Sequence, residues 1–299
     1  MSASPSGATA RLWIGPAGWS YADWRGPFYP ATGGGPPLAY LARYFNAVEV
    51  NSSFYRTPAP RTTAGWLQLV PRDFRFAFKL HQAFTHVRTQ FPPRRDVDAF
   101  CAALQPPRES GQLGPLLMQF PGSFRFAADS VAWLRRLADA FAAYPRFIEL
   151  RHASWDTPAA RAAVLAAGGW CNIDQPALRD CLRPTAIVSG RSAYVRLHGR
   201  NAAHWFAQNS QPWERYNYLY STAELRDWAT RIAALRRDAD DIFVFANNHY
   251  RGQAPANALE LRAILEAGRV AVPDELLRAF PHLATIAVPP RQPGLFDQL

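Results

Sequence analysis

Eight short runs of β-branched, aromatic and aliphatic residues recur along this chain, most of them separated by enough residues for a helix, and this alternation constrains the fold more than any other feature. The runs are Leu12–Gly15, Ala47–Asn51, Phe74–Lys79, Pro115–Phe120, Arg146–Leu150, Trp170–Asp174, Ala193–His198 and Ile242–Asn247. Apolar residues at helical spacing fill the intervals at Leu38–Phe45, Thr62–Val70, Val97–Leu104 and Ala256–Glu266. Two further helices carry start signals. Ser221 and Glu224 form a capping box ahead of Leu225, Trp228, Ile232 and Leu235, and Pro158 follows Thr157 at a first helical position. Asp129 or Ser130 is expected to cap another, with Val131, Leu134, Ala138 and Phe141 inward. No helix is expected between Asp174 and Ala193.

Strand and helix alternating in this way over some 250 residues predict an α/β fold, a TIM-like (β/α)₈ barrel in a single domain covering residues 11–287. The competing architecture, an open doubly wound sheet, would put a glycine-rich phosphate turn after the first strand. None is present, so no nucleotide cofactor is expected. A chain of 299 residues with 48% hydrophobic content can bury one large core. Residues 1–10 read as a disordered N-terminal tail, and 288–299, rich in proline and without periodicity, as an extended C-terminal one. No apolar run approaches the roughly 18 residues of a membrane span, and Met1–Ala10 lacks the basic and apolar parts of a secretory signal. The expectation is a cytoplasmic protein with no membrane partner. Cys101, Cys171 and Cys181 are odd in number and form no Cys-x-x-Cys pair, which suits reduced, structural thiols.

Lys and Arg number 33 against 23 Asp and Glu, a formal charge of +10, yet only one of those 33 is a lysine. Lys79 closes the third predicted strand. Arginine keeps its charge everywhere, whereas lysine loses its proton readily on burial, so a lone lysine at a strand end is a candidate for chemistry. The plain alternative is compositional drift that spared one residue. Excess positive charge speaks to partners, either an anionic small molecule or nucleic acid, although solvated arginine-rich helix faces would give the same balance. No zinc finger, helix-turn-helix or RNA-binding sheet motif is present, so any nucleic-acid contact would be made at the barrel mouth.

In such a barrel the strand ends and the loops after them share one face. That face would collect Glu49, Asn51, Lys79, Gln119, Glu149, Arg151, Asp174, Arg196, His198, Asn247 and Asn248. The catalytic candidates are Glu49, Lys79, Glu149, Asp174 and His198. Lys79, Arg151 and Arg196 would clamp an anion, and Asn51, Asn247 and Asn248 would orient it. Trp19 and Tyr21 in the first loop, and Trp205 in the long segment Gly199–Tyr220, would supply aromatic walls on which bases or sugars stack. Glu149, Asp174 and His198 end three successive strands and form a candidate divalent-metal set, with Glu49 or His86 as a further ligand. Two metal-free readings stand beside it. Glu49 and Glu149 can work as acid and base on a glycosidic bond, or Glu149 can sit in a buried salt bridge with Arg151 or Arg196.

The blocks Gly15-Pro-Ala-Gly18-Trp-Ser-Tyr21-Ala-Asp-Trp24, Phe45-Asn46 through Glu49-Val-Asn51 to Phe54-Tyr55, Glu149-Leu-Arg-His-Ala-Ser-Trp155, Tyr194-Val-Arg-Leu-His-Gly199, and Asn247-Asn248 followed by Ala254 and Asn257-Ala258 resemble the domain-of-unknown-function 72 family (DUF72, the YecE-like proteins). The resemblance implies a TIM-barrel-like fold and leaves activity to be argued from the site. In the tail, Gln292-Pro-Gly-Leu295-Phe296 is similar to the short Gln-x-x-Leu-Phe peptide that docks bacterial replication and repair proteins on the DNA sliding clamp. Gln292, Leu295 and Phe296 are therefore candidate partner-binding residues, with docking on this barrel as the alternative. The leading reading is a hydrolase-like barrel enzyme for a phosphorylated, nucleic-acid-related substrate in DNA maintenance. A carbohydrate-active hydrolase or lyase and a non-enzymatic nucleic-acid or clamp-binding adaptor remain open beside it.

Overall fold

Eight parallel strands form the sheet: β1 Arg11–Pro16, β2 Ala47–Val50, β3 Arg75–Lys79, β4 Leu113–Gln119, β5 Arg146–Glu149, β6 Gly169–Asp174, β7 Ser192–Leu197 and β8 Asp241–Ala246. The structure, a computed structural model, describes residues 10–288 apart from 208, 210 and 212. Neighbours follow sequence order from β2 to β8, and β1 then pairs with β8, so only the seam between β1 and β2 lacks a continuous ladder. Each strand lies within a few residues of its predicted span, because β-branched and aromatic runs buried on both faces are what a closed parallel sheet requires.

The seam is closed by other means. Gly18 N–H donates to Glu49 O at 2.8 Å, and Ala17 and Glu49 form an isolated parallel bridge. Lower down, the Asn46 side chain replaces a strand partner: its amide donates to Leu12 O at 2.8 Å while its carbonyl accepts from Ile14 N–H at 2.9 Å. The backbones are so close here that a Cβ at Gly15 would lie 1.9 Å from Ala47 O. Glycine is required by space at this position, not by turn geometry.

The helices pack outside, as their caps predict. Ser221 and Glu224 complete both halves of the capping box for Thr222–Leu235, and Thr157 accepts from Ala160 N–H to start Pro158–Ala167. One cap differs: the helix Ala128–Ala140 begins after Ala127, with no side-chain cap, so Asp129 lies inside its first turn, where a carboxylate suits the helix dipole. The connection from β6 to β7 contains no helix, as expected. After the helix Gln253–Glu266 the chain adds a short helix, Asp274–Ala279, and a two-stranded parallel ladder of β9 Val270–Ala271 with β10 Ala287–Val288. No helix among the described residues is long and apolar enough to cross a membrane.

Candidate functional site

Because side chains alternate along a strand, every second residue of β2, β3, β5 and β7 projects toward the barrel axis. Those positions carry Glu49, Lys79, Glu149, Tyr194 and Arg196, with His198 just past β7. Arg196 is 1% exposed and lies between two carboxylates that are 0% exposed. Its Nη2 donates to Glu49 Oε1 at 2.6 Å and its Nη1 donates to Glu149 Oε2. Tyr194 Oη donates to the other Glu49 oxygen at 2.7 Å, and Arg151 Nε donates to Glu149 Oε1 at 3.0 Å. Burial alone would raise the Glu149 carboxyl. The surrounding Arg196, His198 and Arg151 reverse that and hold it well below the usual carboxylate range.

His198 stands over this network. Asn247 faces its Nδ1 at 3.0 Å, and since the Asn247 carbonyl is turned to the Asn51 amide at 3.4 Å, the Asn247 amide is the donor and Nδ1 the acceptor. The proton then sits on Nε2, which lies 3.1 Å from Glu149 Oε1, out of line for a full hydrogen bond. Burial pushes the imidazole down to about 3 despite the opposing pull of Glu149, so His198 is neutral.

Lys79 is placed differently from the other cations. It makes no ion pair among the described residues; its Nζ instead lies 4.0 Å above the Phe54 ring. Burial, reinforced by the positive charges of Arg196 and Arg151 and opposed by Glu149 and Glu49, lowers its pKa to about 7. His86, whose ring meets Phe54 edge-on at 4.8 Å, is lowered to about 4 by burial and then by Lys79.

Lys79 and His86 open onto a cavity of ≈ 620 Å³ beside the axis. Arg125, Arg151 and Arg215 join Lys79 in its lining, against the single carboxylate of Asp180. Gln82, Gln119 and Ser123 add neutral polar groups, and Tyr55, Phe206 and Tyr216 stand as walls. Tyr55 and Phe206 are 71% and 59% exposed, so these walls rise to the surface. Two buried polar atoms of the lining, His152 Nε2 and Arg215 Nε, have no hydrogen-bond partner among the described residues. The segment after β7 roofs the centre: Trp205 is buried, with the Arg151 guanidinium 5.3 Å from its ring and His198 6.1 Å away.

Several expectations need correction. Asp174 does not join Glu149 and His198. Its position in β6 directs it outward, where it accepts from Arg200 Nε at 2.8 Å, with Tyr220 and Trp228 around it. Among the described residues no group of three or more His, Cys, Asp and Glu is arranged to hold a metal, so the proposed Glu149, Asp174 and His198 set, with or without Glu49 or His86, is not a ligand cluster. Glu49 and Glu149 are not a facing acid and base either. One guanidinium bonds both, and Glu149, being held ionised, has no proton to give near neutral pH.

Asn248 is buried away from the cavity, donating to Tyr218 O and Asn257 Oδ1, both at 2.8 Å; with Asn257 it ties the covering segment to the helix Gln253–Glu266. Trp19, Tyr21 and Asn51 line a neighbouring cavity of ≈ 430 Å³ that shares only Tyr55 with the first. There Tyr21 stacks on His249 at 4.6 Å and Trp19 meets Trp66 edge-on at 5.1 Å. Gln292, Leu295 and Phe296 lie outside the described residues. Phe54, Gln82 and Arg125 were not anticipated from the sequence. The usable signal was position: Arg125 follows β4, and every segment that follows a strand reaches this face.

Comparison with known proteins agrees with this architecture. Residues 13–283 match the family described as "Protein of unknown function DUF72". The UPF0759 protein YunF of Bacillus subtilis is 30% identical over 269 residues, covering 85% of this chain and 95% of that one. A DUF72 family protein from Thermotoga maritima has a similar structure, with a TM-score of 0.77 and 33% identity over 85% of this chain and 99% of its own. One from Enterococcus faecalis gives 0.76 and 26% over 86% and 96%.

Proposed function

The chain belongs to the DUF72 family, and from its own site we propose that it is an enzyme acting on a small phosphorylated substrate, with Lys79 as the reacting group. The observation that carries this reading is the lining of the 620 Å³ cavity, where Lys79, Arg125, Arg151 and Arg215 face one carboxylate, Asp180. Arg151 is paired with Glu149, which leaves Lys79, Arg125 and Arg215 without an ion pair among the described residues; protein surfaces seldom gather such cations in a concave, aromatic-walled space unless an anion occupies it. Forked guanidinium groups suit phosphate oxygens, and Tyr55, Phe206 and Tyr216 would flank the organic part of the substrate.

The division of labour follows from charge. Arginine stays protonated at any physiological pH, so Arg125, Arg151 and Arg215 hold the anion. Lys79, near half-neutral at pH 7, can take a proton from bound substrate or attack an electrophilic carbon. Glu49, Arg196 and Glu149 hold the floor beneath it and fix Arg151 through Glu149. Nucleotides are within the class, so a role in nucleic-acid metabolism fits the same reading.

The test is ligand-dependent thermal stabilisation. Inorganic phosphate, ribose 5-phosphate and AMP should raise the melting temperature where ribose and adenosine do not. Arg125→Gln with Arg215→Gln should weaken AMP binding by at least about tenfold, the order expected for two lost charge-assisted contacts. Equal responses to phosphorylated and unphosphorylated compounds would refute the reading.

A further inference from the structure

We propose that Lys79 captures the carbonyl carbon of a phosphorylated aldehyde or ketone as a Schiff base. The inference rests on the cavity being a phosphate-ester site and adds the chemical class of the substrate. Four features of the structure argue for it. The ammonium lies 4.0 Å above the Phe54 ring and has no ion-pair partner among the described residues, so no carboxylate holds it in its charged form. Its side chain lines the cavity beside three arginines, which can hold a phosphate while a carbonyl reaches Nζ. Nearby fixed cations and an apolar contact are the conditions that favour a neutral, nucleophilic amine. Finally, the chain spends its one lysine here: arginine would clamp an anion equally well, but a guanidinium does not form imines at neutral pH.

The step balances without an oxidant or reductant. The Nζ lone pair forms the C–N bond as the carbonyl π pair moves to oxygen. That oxygen then gains one proton from the nitrogen and a second from solvent, or from a neighbouring acid. The C–O bond breaks as nitrogen supplies the C=N pair, and water leaves. His86 lines the same cavity and would relay the proton: its ring meets Phe54 edge-on at 4.8 Å, and its Nδ1 is 2.9 Å from Thr85 Oγ1.

The experiment is reductive trapping. The full-length protein is incubated with dihydroxyacetone phosphate or ribose 5-phosphate, reduced with borohydride, cleaved after arginine and mapped by mass. The peptide Phe76–Arg88 contains the only lysine, and the α-amino group of the first residue is an internal control. The folded protein should carry at least about tenfold more adduct on that peptide than the denatured chain, with inorganic phosphate competing. Lys79→Arg and Lys79→Met should lose the adduct, and Lys79→Arg should keep the thermal response to phosphate, which shows that it is folded and binds anions. Adduct on Lys79 no greater than in the denatured chain, while phosphate still stabilises the wild type, overturns the Schiff base and leaves the phosphate reading intact. No response of the wild type to phosphate together with no adduct overturns both.

Discussion

Replacing Lys79 with methionine should stabilise the protein at low pH and lose that advantage as pH rises. Folding takes this ammonium from an ordinary pKa of 10.5 to about 7, which corresponds to a cost on the order of 5 kcal/mol for holding the charge in its pocket. The side chain is partly exposed in an open cavity, so solvent screening reduces the effective figure to about half. The sign follows from proton counts. Below about pH 7 both folded and unfolded chains carry the proton, and the wild type bears the full cost. Between about 7 and 10.5 the unfolded chain holds more protons than the folded one, so wild-type stability climbs with pH. The groups that set this balance are Arg196 on β7, Glu149 and Arg151 at the end of β5, Glu49 on β2 and the neutral His86. Urea titrations of wild type and Lys79→Met at about pH 6, 8 and 10 measure the difference, which should shrink by about 2–3 kcal/mol across the range. A difference that stays constant, or that moves the other way, would refute the depressed lysine and with it the neutral nucleophile.

Arg196→Met leaves Glu49 and Glu149 buried without their shared partner, and should cost about 3–5 kcal/mol in urea unfolding; adding Glu49→Gln and Glu149→Gln should recover at least half of that. Since Glu149 is held well below the usual carboxylate range, its contribution is present above the unfolded pKa and is lost as pH falls through the folded one. Glu149→Gln should therefore flatten the acid limb of the stability curve even if it lowers the plateau. Gly15→Ala drives a methyl group into Ala47 O and should cost more than about 3 kcal/mol or prevent folding. Gly65→Ala, in the open helix Pro60–Leu67, should instead stabilise by about 0.5–1 kcal/mol in urea unfolding.

The fold was legible because a barrel states itself locally: each strand is a buried run, each helix a periodic one, and topology follows from their order. The seam was not, since Asn46 acts as a strand substitute through one side chain, and no periodicity marks that. Gathering of Glu49, Lys79, Glu149, Arg151, Arg196 and His198 was legible for the same reason as the fold, because strand ends share a face. Direction was harder to read. Asp174 ends a strand as Glu149 does, yet lies one alternation step out of phase with the axis and bonds to Arg200. Partnering was harder still: from sequence two carboxylates and an arginine can be catalysts or a framework, and only the 2.6 Å contact of Arg196 with Glu49 and its second bond to Glu149 decide for the framework. Asn248 read as a substrate ligand because it neighbours Asn247, but adjacent residues past a strand face opposite ways, and it staples the covering segment instead.

The choice of cation at each position then becomes an argument about chemistry rather than composition. Beneath the cavity the charge must persist, because two carboxylates with no exposed surface depend on it, and arginine is the only side chain that keeps its proton there and reaches both with separate nitrogens. Around the cavity wall the charge must also persist if an anion is to be held, and Arg125, Arg151 and Arg215 supply it. At the Phe54 ring no such demand exists: nothing anionic among the described residues is paired with the group, and persistent charge would only add to repulsion from Arg196 and Arg151. A side chain that sheds its proton is the stable choice at that point, and the same loss of charge turns it into a nucleophile. Among cations, lysine is thus both the least costly at position 79 and the one that can react, whereas an uncharged side chain costs less still: Lys79→Met should raise stability below about pH 7 while abolishing adduct formation.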